Sequence, residues 1–167
     1  IYAIIRVYLL VFGDDAGALA NLGMDWLFPI ALVTLAMGVI GALGASSLRK
    51  LVAWQVIISV GTLLAPVALG SEAGLSAALF YLLSTTWTVG GLFLVAELIA
   101  NRRGSAGDRI ITAPKMRNRR FLGILFLVGA VAAAGLPPLS GFFGKILILK
   151  SVEPGTEMAW LWSVILI

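Results

Sequence analysis

The clearest potential for chemistry lies in residues 135–145, which read GLPPLSGFFGK. This stretch places Lys145 shortly after two consecutive prolines, within the apolar sequence that begins at Phe121. An ionisable side chain inside a membrane span is costly, roughly 2.5–3.5 kcal/mol for a lysine at a helix centre, and it usually serves function. Lys145 is therefore the first candidate for a group that exchanges protons with water. The alternative is a lysine that extends to the outer membrane surface.

The two prolines predict that the helix before Lys145 is interrupted. Pro137 and Pro138 lack backbone N–H groups, so carbonyls one turn upstream lose their partners, and the second proline disfavours helical geometry at the first. In a bilayer such backbone persists only where protein or a water-filled cavity satisfies it. Broken helices of this kind form ion and substrate sites in transporters. We predict a break at Pro137, Pro138 and Gly141 that positions Lys145 as a proton relay.

A second group of candidates is the set of polar residues on the apolar segment that runs from about Leu75 to Ala100. Ser84 and Thr88 are four residues apart, which places them on one face of a helix. Hydroxyl groups there could line a wet path between titrating groups. They could equally form hydrogen bonds between packed helices, which is the commoner use. The candidate proton path consists of Tyr81, Ser84, Thr85, Thr88 and Glu97.

The remaining charged residues in or near apolar segments are Arg6, Glu97 and Lys150. Glu97 is close in sequence to Arg102 and Arg103, which favours a surface ion pair over a role in proton uptake. Lys150 adjoins an outer loop and is predicted to be an anchor at the membrane surface.

Other kinds of chemistry are excluded or unsupported. The sequence has no cysteine and no histidine, which excludes disulfides and a Ser/His/Asp triad and removes the commonest metal ligand. Residues 38–44 are rich in glycine, but the spacing differs from the dinucleotide-binding fingerprint. Small residues at these intervals instead predict close helix packing. We expect no cofactor and no metal ion.

The composition determines the class of protein that must position these residues. Hydrophobic residues make up 60% of the 167 residues, charged residues only 12%, and the mean hydropathy is +1.05. Soluble domains are about half apolar and about a quarter charged. The sequence therefore predicts an all-α, polytopic bundle of transmembrane helices, with one helix discontinuous at the prolines. The net charge of +4 is attributed to membrane topology rather than to nucleic acid.

We predict about six membrane segments in a single transmembrane domain over residues 1–167, the first and last of them truncated. A spanning helix needs about 20 mostly apolar residues. The predicted segments cover residues 1–12, 26–45, 51–69, 75–100 and 121–152, and a sixth begins near Met158.

The charges of the intervening loops alternate in sign. Basic residues dominate loops 46–50 and 101–120, whereas the other loops carry only acidic residues. Because cytoplasmic loops collect Lys and Arg, we predict that these two loops are cytoplasmic. The basic loop 101–120 could also bind lipid headgroups or a cytoplasmic partner, although a role in topology is favoured.

Residues 135–142 with Lys145 closely resemble the discontinuous-helix motif of the proton-conducting antiporter-like membrane subunits. This superfamily includes the Mrp-type monovalent cation/proton antiporters and the membrane-arm subunits of respiratory complex I. Residues 2–6 and 47–54 are similar to the same superfamily, and residues 59–64 and 92–99 look most like the D subunit of the Mrp antiporter.

The resemblance implies a proton-translocating subunit of a multisubunit Na⁺/H⁺ antiporter in the bacterial inner membrane, in which Lys145 takes part in a chain of protonatable residues. It implies that the partners are other antiporter subunits, protons, a monovalent cation and lipid. The sequence departs from the family at Ser84 and Val89, where relatives often carry histidine or lysine. A path through this segment would need water and hydroxyl groups.

Two other functions remain open from the sequence. The first is a proton-pumping membrane subunit of a complex I-like NADH-quinone oxidoreductase or a membrane hydrogenase, which would use the same lysine. The second is a structural membrane subunit that transports nothing.

Overall fold

The computed structural model describes residues 1–13, 17, 18, 20, 23–112, 118–152 and 155. Over this part of the chain the fold is a bundle of α-helices, which confirms the predicted all-α class. The helices are α1 (Tyr2–Val11), α2 (Met24–Leu43), α3 (Leu48–Ala68), α4 (Glu72–Arg102), α5 (Arg119–Ala134) and α6 (Ser140–Lys150). A short 3-10 helix, Gly104–Ala106, follows α4. The predicted sixth segment lies outside the described residues.

Three of the described helices, α2, α3 and α4, are long and apolar enough to cross a membrane. Large apolar side chains cover their outer faces: Leu43, Trp87 and Trp26 are 84%, 81% and 72% exposed. Such surfaces favour contact with lipid or with other membrane helices. The chain is a multi-pass membrane protein.

Helix α4 is the central element of the bundle, because it packs against α3, α5 and α6. Its 31 residues span about 46 Å at about 1.5 Å per residue, which exceeds the roughly 30 Å of hydrocarbon. The part of α4 that carries Glu97 therefore lies near one end of the bundle. Tyr81, which is 2% exposed, lies in the core together with apolar residues of α2, α3 and α6.

Helices α2 and α3 approach each other closely at glycines. A methyl group on Gly41 would overlap the Trp54 ring, and one on Gly61 would lie 2.7 Å from the Ala31 carbonyl oxygen. The Gly41 contact confirms the packing role predicted for residues 38–44, since a side chain larger than hydrogen there would separate the two helices.

The stretch predicted as one interrupted segment, residues 121–152, contains two helices. Helix α5 ends at Ala134, and α6 begins at Ser140. Gly135 caps α5 with left-handed backbone geometry, φ 77° and ψ 38°. The amides of Gly135 and Leu136 donate to the carbonyls of Ala132 and Val131. The predicted break residues Pro137 and Pro138 lie in the connection, and Gly141 lies in the first turn of α6.

Candidate functional site

The site forms where the end of α5 meets the first turns of α6. In a continuous helix the carbonyls of Ala133 and Ala134 would accept hydrogen bonds from residues 137 and 138. Both of these residues are proline and cannot donate. The two prolines therefore leave two specific carbonyls at the end of α5 without their usual partners.

Lys145 supplies one of the replacement donors. Its Nζ atom donates to the Ala134 carbonyl oxygen at 2.8 Å. The geometry follows from the helix itself, because a side chain on a helix leans toward the N-terminus and so directs Lys145 back toward the connection. The lysine is partly buried, and its aliphatic part packs against Gly135, where an added methyl group would lie 2.7 Å from Cδ.

Gln55 of α3 supplies the second replacement donor. Its side-chain amide donates to the Ala133 carbonyl oxygen at 3.1 Å. The two carbonyls that the prolines deprive of partners are therefore satisfied by two side chains from different helices. Sequence reasoning did not identify Gln55. The signal that could have found it is the spacing of Gln55, Ser59 and Thr62, which places three polar residues on one face of an apolar helix.

The end of α5 is electrostatically suited to a cation. Aligned peptide dipoles give a helix C-terminus partial negative charge, worth about 0.3–1 kcal/mol to a nearby cation and up to about 2 kcal/mol where partly buried. A hydrogen bond to a charged group contributes about 1.5–3 kcal/mol. Together these terms are comparable with the insertion cost of a lysine, so the site can hold an ammonium group without an acidic partner.

Close contact at Gly141 and Gly144 makes this arrangement possible. A methyl group on Gly141 would overlap the Ala132 carbonyl oxygen, so the first turn of α6 lies directly against α5. A methyl group on Gly144 would lie 2.7 Å from Cδ2 of Tyr81. Tyr81 of the candidate path is thereby placed beside the residue that precedes Lys145.

The hydroxyl-bearing residues of the candidate path on α4 separate into two groups. Tyr81 and Thr85 face α3, where the Thr85 and Ser59 hydroxyls are 2.8 Å apart and the Tyr81 phenol lies near Ser59, Thr62 and Thr85. An open cavity of about 190 Å³ adjoins this cluster and is lined in part by Ser59 and Thr85.

The other group faces α6 or its own helix. Ser84 donates to the Ser140 hydroxyl at 2.8 Å and so ties α4 to the first turn of α6. Thr88 donates to the Ser84 carbonyl oxygen at 2.9 Å, a bond within α4. Ser84 therefore contacts α6, the helix that carries Lys145, whereas the Thr88 hydroxyl donates its proton to a backbone carbonyl of α4.

Glu97 lies apart from this cluster, at the end of the bundle that carries residues 104–112. It forms an ion pair with Arg49 at 3.0 Å, and Arg49 also bonds Asp108 at 3.1 Å. A surface ion pair was expected for Glu97, but the choice of Arg102 and Arg103 as its partners was wrong. Arg103 donates instead to the carbonyls of residues 107, 109 and 111. We call Arg49, Glu97 and Asp108 the Arg49 clasp.

The Arg49 clasp joins the predicted basic loops at one end of the bundle. The Leu48 amide donates to the Asp108 carbonyl at 2.9 Å, and the Ile110 amide donates to the Ser46 carbonyl at 3.0 Å. The Arg49 side chain bonds the Asp108 carboxylate and holds its pKa below the ordinary value. The contact between Arg49 and Asp108 is therefore intact above about pH 4 and weakens as the pH falls through the lowered pKa of Asp108.

We expect Asp108→Asn to release residues 104–112 from α3, because the charge-assisted bonds from Arg49 are lost. Trypsin should then cleave detergent-solubilised, full-length protein after Arg109 several-fold faster at neutral pH, since local opening precedes cleavage. Ser105→Ala is the matched control: it changes an exposed side chain in the same stretch and keeps the carbonyl that Arg109 uses. Equal cleavage of the wild type and Asp108→Asn would contradict a stabilising role for the clasp.

Comparison with known proteins identifies the family. The sequence model described as "NADH:quinone oxidoreductase/Mrp antiporter, TM" matches residues 1–167. The chain belongs to this family. This family member is 37% identical over 179 residues to a probable K⁺/H⁺ antiporter D subunit from Rhizobium meliloti (strain 1021), covering 95% of this chain and 33% of the relative.

The chain has two further similarities, one in sequence and one in fold. It is 36% identical over 150 residues to the Na⁺/H⁺ antiporter D subunit of Bacillus subtilis (strain 168), covering 90% of this chain and 29% of the relative. The fold matches a chain in the structure of the Mrp complex from Dietzia sp. DQ12-45-1b with a TM-score of 0.81 and 26% identity, covering 99% of this chain and 30% of that one. The chain thus spans about a third of the length of these relatives.

Proposed function

We propose that the chain is part of a proton-translocating subunit of a multisubunit monovalent cation/proton antiporter, with Na⁺ as the exchanged cation. The observation that carries this proposal is the contact between Lys145 and the Ala134 carbonyl, which Pro138 leaves without a helical donor. The names of the Rhizobium and Bacillus relatives, both of them D subunits of antiporters, support it. The protein is then a secondary transporter subunit rather than an enzyme.

In this proposal Lys145 is the proton relay. An ammonium group has three N–H donors, and one of them is used at Ala134. Proton release breaks another N–H bond, leaves its electron pair on nitrogen and passes the proton to a neighbouring water oxygen. Proton uptake reverses the step. Pro137, Pro138 and Gly141 serve the relay by shaping the connection at which the lysine sits.

The path toward Lys145 is proposed to run through water and hydroxyl groups of α4. Thr85 borders the cavity beside Ser59, and the Tyr81 phenol lies near both hydroxyl groups. Ser84 reaches Ser140 at the start of α6. Water occupies such cavities where two or more polar partners are available. Thr88 extends the polar face of α4, and Glu97 at the end of the bundle is the proposed site of exchange with solvent.

The proposed setting is the bacterial inner membrane, with loops 46–50 and 101–120 on the cytoplasmic side. The Arg49 clasp, which ties residues 46–49 to residues 108–110 at one end of the bundle, supports a shared side for the two loops. The proposed partners are the other subunits of a hetero-oligomeric antiporter, lipid, protons and the transported monovalent cation. The proposal includes no nucleic acid, no cofactor and no resident metal ion.

A second function is supported by one relative. The chain is 33% identical over 138 residues to the N subunit of the NADH-quinone oxidoreductase of Granulibacter bethesdensis, covering 81% of this chain and 29% of the relative. In a redox-driven complex, such as this oxidoreductase or a membrane hydrogenase, the same lysine would relay protons in response to electron transfer elsewhere.

Transport by the full-length complex in everted vesicles distinguishes the two functions. We expect Na⁺ added to vesicles with an imposed pH gradient to collapse the gradient without any electron donor. Vesicles from a strain lacking the complex are the control, and K⁺ is compared with Na⁺. Proton movement that needs NADH and ignores both cations would replace the antiporter with the redox-driven pump. Genes for small antiporter subunits beside the coding gene would favour antiport, and genes for flavin or iron–sulfur proteins would favour the pump.

A further inference from the structure

Gln55 stands out among polar residues outside the predicted site because it reaches the broken end of α5. Its donor bond to the Ala133 carbonyl joins residues 78 positions apart in sequence. The neighbouring carbonyl, that of Ala134, is the acceptor for Lys145. The amide of Gln55 and the ammonium of Lys145 thus donate to the carbonyls of two consecutive residues at the end of α5.

We propose that Gln55 is a positioning residue that limits Lys145 to one backbone carbonyl and thereby sets the pH at which the relay operates. This inference rests on the proposed function of Lys145. Gln55 acts by occupying the Ala133 carbonyl with a neutral donor. A carbonyl oxygen has two lone pairs, and donation by the Gln55 amide reduces its capacity to accept from the neighbouring ammonium. Without Gln55 the Ala133 carbonyl is the stronger acceptor, and a second N–H of Lys145 turns to it.

The direction of the effect follows from hydrogen bonding. A carbonyl oxygen accepts more strongly from an ammonium than from a neutral amine, so each additional carbonyl favours the protonated lysine. Removal of the Gln55 donor should therefore retain the proton on Lys145 up to higher pH. A positively charged donor at position 55 should instead make Lys145 lose its proton at lower pH, because a nearby like charge disfavours the protonated lysine.

Other titratable groups near Lys145 are few among the described residues. Helix α6 packs against α4 and α5, and α4 places Tyr81 at Gly144. The charged residues of α3, α4, α5 and α6 other than Lys145 lie in or close to their terminal turns: Arg49, Lys50, Glu72, Glu97, Arg102, Arg119, Arg120 and Lys150. Tyr81 is therefore the titratable neighbour whose contribution must be separated from that of Gln55.

The test compares the pH dependence of cation/proton exchange for variants of the full-length complex in everted vesicles. Gln55→Met keeps the length of the side chain and removes the donor, so the half-maximal pH should rise by about one pH unit. Gln55→Lys keeps a donor and adds charge, so the half-maximal pH should fall. Ala53→Met, on an exposed position of α3, is the matched control and should keep the wild-type profile. Tyr81→Phe combined with Gln55→Met should retain the rise, which assigns it to Gln55.

Several results would overturn the inference. The first is a pH profile of exchange for Gln55→Met that superimposes on that of the wild type. The second is a uniform loss of exchange rate in both Gln55 variants without a shift in the half-maximal pH. The third is failure of both variants to assemble. The last two would make Gln55 a purely structural residue. If Lys145→Met itself kept full exchange, the proposed function would fail first; inactive Lys145→Met with an unshifted Gln55→Met would refute the role of Gln55 alone.

Discussion

Lys145→Met should reduce cation/proton exchange by the full-length complex to the background of vesicles that lack it. Methionine keeps much of the length and apolar character of the side chain but has no proton to exchange. At the proposed intramembrane position, the change also removes the cost of a buried charge, roughly 2.5–3.5 kcal/mol. That gain offsets the loss of the Ala134 hydrogen bond, so the complex should still assemble.

Two companion variants make the Lys145 experiment specific. Lys150→Met makes the same change at an exposed position in the last turn of α6 and should leave exchange close to the wild type. Lys145→Arg keeps the positive charge and can still cap Ala134, but a guanidinium does not release its proton in proteins. Exchange should be lost with arginine if Lys145 relays protons and kept if it only caps the helix.

Normal exchange with Lys145→Met would remove the lysine from the mechanism. It would favour the third function left open by the sequence, a structural membrane protein, provided that the other subunits remain active. Measurement of the cation-induced collapse of an imposed pH gradient, with the amount of assembled complex determined by immunoblot, distinguishes these outcomes.

Gly141→Ala should abolish most of the exchange by a different route. The added methyl group would overlap the Ala132 carbonyl oxygen and lie 3.4 Å from Cα of Gly135. Overpacking of this kind typically costs about 1–3 kcal/mol and is relieved by backbone movement. The first turn of α6 would move away from α5 and carry Lys145 away from the Ala134 carbonyl.

Gly123→Ala is the matched control for Gly141→Ala. It introduces the same methyl group in the neighbouring helix, at a position where the methyl would meet no described atom within 4 Å apart from those of adjacent residues and of its own helix backbone. Alanine is also the better helix former, so this control should assemble normally and retain exchange. Wild-type exchange in an assembled Gly141→Ala complex would show that the close contact between α5 and α6 is unnecessary.

The sequence predicted most of the helices because hydrophobicity over about 20 residues is a local property that a chain displays directly. The predicted segments 26–45, 51–69 and 75–100 correspond to α2, α3 and α4, with ends within three residues of the observed bounds. The prolines likewise indicated where carbonyls would lose their partners, since a missing N–H is visible in the sequence.

What the sequence could not provide is the identity of partners that are distant along the chain. Proximity in sequence favours arginines a few residues away as partners of Glu97. In the structure Glu97 pairs instead with Arg49, which is 48 positions distant. The contact between Gln55 and the end of α5 could not be predicted, because the residues around Gln55 in the sequence give no indication of it. Side chains that meet across helices depend on packing, and a single sequence carries no record of which helices touch.

In the proposed relay, the pairing of Lys145 with a backbone oxygen rather than a carboxylate has a consequence for turnover. After proton release the neutral amine of Lys145 still has two N–H bonds. It can therefore continue to donate to the Ala134 carbonyl while its lone pair is free to accept the next proton. The end of α5 then stays covered whether the site is charged or neutral. Each cycle would alter only the charge and the orientation of water, and the peptide chain around the prolines could remain still throughout.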